Sequence, residues 1–119
     1  MPIRGDQSKS QLSELVRISK ANLIAIGWQS LTVDATAGGV ALTVPTNARY
    51  ALIVVESSIA TPAIRYLECG NAVETVTSSV GIPRSNLDAL DIQGYQNLVN
   101  FRAIQVGAGT HTLSIQYYA

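Results

Sequence analysis

A single cysteine, Cys69, stands in 119 residues, so no disulfide can form within the chain and no thiolate cluster needing two cysteines can be built from it. The fold must rest on packing alone. Charge is scarce too, at 13% of residues, about half of the usual ~25%. Eight basic and eight acidic side chains cancel, so no global field draws the chain to nucleic acid or to an anionic membrane. No apolar run reaches the length of a membrane span. Met1-Pro2-Ile3-Arg4-Gly5-Asp6 is polar where a signal peptide carries its apolar stretch, and the expectation is a soluble protein made in a cytoplasm.

Hydrophobic residues make up an ordinary 47%, so with few charges the polar surface is largely Ser, Thr, Asn and Gln. Such a surface is weakly solvated and suits contact with other protein. The length predicts one domain with a workable core. Within it the charge is uneven: residues 1–20 hold Arg4, Lys9, Arg17 and Lys20 against Asp6 and Glu14. Residues 1–11 are too polar to order by themselves. Leu12, Leu15 and Val16 follow at helical spacing, and Ser8 with Gln11 has the spacing of a capping box, so a short helical turn fits there. The reading is a polar arm over residues 1–20 ahead of a domain over 21–119.

From Leu23 the periodicity is two, with turn residues about every ten positions, which is the rhythm of an all-β domain. Ile24, Ile26 and Trp28 alternate with small residues, and Leu31 and Val33 continue out of phase, which predicts a bulge near Gln29 or Ser30. Further strands are expected at Val40–Val44, Tyr50–Val55, Ala63–Cys69, Val73–Thr77, Leu90–Ile92, Leu98–Val106 and Leu113–Tyr118. Tyr50–Val55 reads as the core strand, and Gly107-Ala108-Gly109 as a hairpin loop. About eight strands without a long helix predict a two-sheet antiparallel β-sandwich, of jelly-roll or related Greek-key connection.

No catalytic set is apparent. His111, the only histidine, shares strand parity with Leu113 and Ile115 and reads as a rim histidine satisfied by backbone; no motif brings a serine or Cys69 to it. A reactive Cys69 needs a cationic neighbour such as Arg65. Asp88 and Asp91, with the scattered Glu56, Glu68 and Glu74, have neither calcium-loop nor glycosidase spacing. Arg4-Gly5-Asp6 matches an integrin-read tripeptide that arises easily by chance. Gly38-Gly39 and Gly107-Ala108-Gly109 open no helix that could hold a phosphate. Trp28, Phe101 and Tyr117 fall among aliphatic residues and read as core, whereas Tyr118 alone is outward by parity. Neither cofactor nor metal is expected.

Tyr50-Ala51-Leu52-Ile53-Val54-Val55-Glu56, Ile64-Arg65-Tyr66, Leu90-Asp91-Ile92-Gln93-Gly94, Leu98–Ile104 and Leu113–Tyr118 together resemble a pattern in small virion proteins of tailed bacteriophages, over about residues 40 to 119. The chain departs from that pattern at Glu68-Cys69-Gly70-Asn71, where no Pro-Thr follows the turn. The resemblance implies a β-sandwich without cofactor that acts as a capsid decoration or cement protein, or as a minor head or tail component. It also implies a homo-oligomer, a trimer at a local threefold position, bound to the major capsid or another virion protein. Under that expectation Arg4, Lys9, Leu12, Leu15 and Arg17 contact the partner, because a polar arm orders on binding. The rival expectations are a carbohydrate- or receptor-binding sandwich, separated by the exposure of Trp28 and Tyr95, and a small hydrolase using Cys69 or His111.

Overall fold

The computed structural model describes residues 22–59 and 61–119. The arm, its helical turn and capping box, the Arg4-Gly5-Asp6 tripeptide, and the expected contacts Arg4, Lys9, Leu12, Leu15 and Arg17 all lie outside the described residues. Eight strands follow: β1 (Ala25–Thr32), β2 (Val40–Ala41), β3 (Tyr50–Ser57), β4 (Ile64–Leu67), β5 (Ile82–Arg84), β6 (Ala89–Gln93), β7 (Arg102–Gln105) and β8 (His111–Tyr118). One short helix, α1 (Tyr95–Asn100), separates β6 from β7.

Two four-stranded sheets form, ordered β1-β8-β3-β6 and β2-β7-β4-β5. Every pairing is antiparallel, and β1 pairs β8, β2 pairs β7, β3 pairs β6 and β4 pairs β5. The chain thus doubles back at β4–β5, and the resulting ribbon of strand pairs is rolled until β8 also meets β3 and β7 also meets β4. This is the jelly-roll sandwich.

Alternation within each strand decides what enters the core. On β3 and β8, Ile53, Val55, Leu113, Ile115 and Tyr117 point inward and are buried. They meet Ile64, Tyr66 and Ala103 of the second sheet. Phe101 stacks on Tyr66 at 5.5 Å between ring centroids, and Leu98 of α1 is fully buried in the same cluster. Each large side chain so buried contributes about 2 kcal/mol.

Several sequence expectations are corrected. Val73–Thr77 is not a strand: the Cys69 carbonyl accepts the amides of Ala72, Val73 and Glu74, which curls the chain into turns. Val76 then becomes fully buried against Gly39 and Gly81, where a Cβ would lie 2.7 and 2.9 Å from its methyl groups. Both glycines have positive φ, +86° and +133°, so a side chain there would add backbone strain to the overlap. The edge strand of that sheet is instead Ile82–Arg84, with Pro83 in a position that an edge tolerates. Leu98–Val106 divides into the end of α1 and β7, and the Val40–Val44 strand shrinks to two residues. Gly107-Ala108-Gly109 joins β7 to β8 across the two sheets and is no hairpin. The bulge falls between Ala25 and Gly27, ahead of the expected place. As a result Gln29, Leu31 and Val33 turn inward, while Trp28 turns outward and is 68% exposed.

Candidate functional site

The outer face of the β1-β8-β3-β6 sheet carries the most exposed apolar surface that the fold organises on strands. Register places Trp28, Gln116, Leu52 and Asp91 in one row across the sheet, and Ser30, Ser114, Val54 and Ala89 in the next. Leu52 and Val54 are half-buried. Beside them on β1, Ile26 is 40% exposed. Tyr118 and Tyr50 lie 5.4 Å apart, tilted, at the same end of the sheet. The Tyr50 hydroxyl donates to Asp91 Oδ1, and the Tyr118 hydroxyl donates to Gln116 Oε1 at 3.1 Å. Burial and the neighbouring Asp91 carboxylate push the Tyr50 phenol well above its usual range. Tyr50 is therefore a neutral donor that ties β3 to β6.

Trp28 reaches this face because its neighbour Gln29 is anchored inside. Tyr117 donates its hydroxyl to Gln29 Oε1 at 2.6 Å, and the Thr43 amide donates to the same oxygen at 3.1 Å. A polar residue thus occupies the inward position, satisfied by two donors, and the indole is left outside. Burial raises the Tyr117 phenol to about 12, so this anchor stays neutral throughout the physiological range.

A serine–histidine pair, which sequence reasoning did not find, closes the other end of the same sheet. Strand register sets Ser57 directly opposite His111, with Ser57 Oγ 2.8 Å from His111 Nδ1. His111 Nε2 lies 2.8 Å from the Gly107 carbonyl oxygen. A carbonyl only accepts, so in the neutral ring Nε2 carries the hydrogen and Ser57 donates to Nδ1. The arrangement has the form of a nucleophile, a base and an orienting acceptor. Its surroundings do not continue the resemblance. Ser57 Oγ already accepts the Ile59 amide at 3.1 Å, and the neighbouring amides of Ser58 and Thr110 donate to the Thr110 carbonyl and to Ser58 Oγ. His111 is fully buried. The pair fastens the β3–β8 ladder to the 107–110 crossing.

The remaining sequence candidates are dispersed. Cys69 is half-buried, and Arg65 donates its guanidinium to the Ser78 and Gly81 carbonyls. Asp88 accepts the Ser85 amide at 2.7 Å, and Glu56 accepts the Ser114 hydroxyl at 2.8 Å. Desolvation raises the Glu68 carboxyl above its ordinary value. Among the described residues no group of three or more His, Cys, Asp or Glu side chains converges as metal ligands would. Arg102 lines an open cleft with Gly38, Gly39, Gly70 and Glu74, but its guanidinium is turned to the Val99 and Phe101 carbonyls at 2.9 and 2.7 Å. It closes the C-terminal end of α1.

Topology and surface together define a jelly-roll sandwich, eight-stranded among the described residues, with Trp28 exposed on one outer sheet face. No protein-family model, curated protein or solved structure matches the chain.

Proposed function

We propose that this chain is a structural assembly protein of a virion, a capsid decoration or cement component that binds a shell protein and stabilises the particle. The observation that carries the reading is the outer face of β1, where Ile26 and Trp28 stand in solvent on a strand with no charged residue. An apolar strand face of this kind marks a protein-contact surface. A rigid sandwich with few charges suits burial between shell subunits, and the resemblance to small tailed-phage virion proteins supports the same role. Many identical weak contacts on one lattice act multivalently. Residues 1–20, with their basic surplus, supply a second contact in this reading. The test is the mass and stoichiometry of what co-purifies with the native protein: a shell protein at fixed ratio supports the proposal, and its absence from particles removes it.

The exposure of Trp28 and Tyr95, 68% and 44%, favours a second reading, a glycan-binding sandwich that stacks sugar rings on outward aromatics. Trp28 is the only tryptophan, so its fluorescence reports on that face alone. A glycan array without signal, together with emission unmoved by sugars, eliminates this reading.

A further inference from the structure

We propose that β1 joins two copies of this chain, antiparallel and edge to edge, about a twofold axis at Ser30. This rests on the assembly reading above and names one of its partners. Of the four sheet edges, three carry protection against added strands. β2 has two residues, β5 has three with Pro83 and Arg84 among them, and β6 carries Asp91 and runs into α1. β1 has eight residues, Ala-Ile-Gly-Trp-Gln-Ser-Leu-Thr, with neither charge nor proline.

Its open hydrogen-bonding groups can be named. The Val33 amide donates to the His111 carbonyl at 2.9 Å, and register places Leu31 opposite Leu113 and Gln29 opposite Ile115. Because antiparallel bonding alternates, Gln29 and Leu31 also bond to β8. The backbone N–H and C=O groups of Trp28, Ser30 and Thr32 then point away from it. Among the described residues no strand pairs with that edge.

These three residues are symmetric about Ser30. A twofold axis there sets Trp28 of each copy opposite Thr32 of the other, and Ser30 opposite Ser30. Three such pairs exchange about six backbone hydrogen bonds, and two four-stranded sheets become one of eight strands. An aromatic residue opposite a β-branched one is a favourable cross-strand pair. No charge on the strand opposes the approach, and the zero net charge of the chain removes long-range repulsion between copies.

Sedimentation equilibrium of the full chain over rising concentration, with residue-resolved hydrogen exchange, tests the pairing. A dimer is expected in which the amides of Trp28, Ser30 and Thr32 exchange about tenfold or more slowly than in the dilute monomer, while those of Gln29 and Leu31 are slow in both. Trp28→Lys places a charge on the edge, and Ser30→Pro removes a donor that faces away from β8. Both should stay monomeric, and the lysine variant keeps the test valid if the proline variant does not fold. A chain that is monomeric at every concentration overturns the proposal. So does a dimer or trimer in which those three amides stay unprotected. Co-purification of such a monomer with a shell protein would remove the twofold pairing and leave the assembly reading intact.

Discussion

Replacing Ser57 by alanine separates a structural serine from a nucleophilic one. Ser57 Oγ makes two hydrogen bonds, donating to His111 Nδ1 at 2.8 Å and accepting the Ile59 amide at 3.1 Å. Each neutral bond contributes about 1 kcal/mol net, and leaving the buried Nδ1 without a donor costs about 1 kcal/mol more. Solvent at the half-buried Ser57 returns part of this, so the expected loss is about 2 kcal/mol. For a domain of this size that lowers Tm by about 8 °C. Urea unfolding followed by far-UV circular dichroism measures the loss. Ser58→Ala is the control, because its exposed Oγ accepts the Thr110 amide at 3.0 Å, and should cost less than about 1 kcal/mol. A fluorescent phosphonate that labels activated serines reports on the chemistry. Ser57→Ala with an unchanged unfolding midpoint, beside wild-type protein that takes the label at Ser57, would refute the structural assignment.

Gly39→Ala should destabilise the fold by about 2 kcal/mol, through strain at φ +86° and contact with Val76 Cγ1, the Ala103 carbonyl and Arg102 Cβ; Val76→Ala in the same chain should restore only the Val76 share of the contact, as a denaturant double-mutant cycle will report. Trp28→Ser should change folding stability by less than about 0.5 kcal/mol while reducing occupancy on particles, and acrylamide should quench the native indole readily, since it is 68% exposed. The phenols of Tyr117 and Tyr50 are held above the unfolded value of 10.0, Tyr117 at about 12. Their contribution to stability is therefore complete below pH 10 and falls as pH rises toward 12 and beyond, because the unfolded state releases those protons first. Unfolding followed across that range should show the decline, and Tyr117→Phe should flatten it.

The architecture was readable because burial on strands has period two. Ile53, Val55, Leu113, Ile115 and Tyr117 all sit inward as their alternation predicts. What failed was the choice of face where both parities look alike. Ile24, Ile26 and Trp28 alternate with small residues as a core face does, yet Gln29 takes the inward place because Tyr117 and Thr43 satisfy its oxygen. Val73–Thr77 has strand composition, but the capture of three amides by the Cys69 carbonyl and the gaps at Gly39 and Gly81 overrode it. Ser57 and His111 are separated by 54 positions. Only the β3–β8 register brings them together, and no local pattern encodes it.

The position of β8 bears on how the chain reaches this fold during synthesis. β8 lies between β1 and β3 and comes last in chain order among the eight described strands. Until it emerges, the sheet has an empty slot at its centre, and β1 and β3 have no common neighbour to hold them. Closure of this sheet must therefore wait for β8, with contacts that join residues about ninety positions apart, as Trp28 and Gln116 are. Such non-local closure is slow, from milliseconds to seconds. During that interval the uncharged β1 strand is open along both edges, so the nascent chain should be far more prone to misassociation than the finished domain.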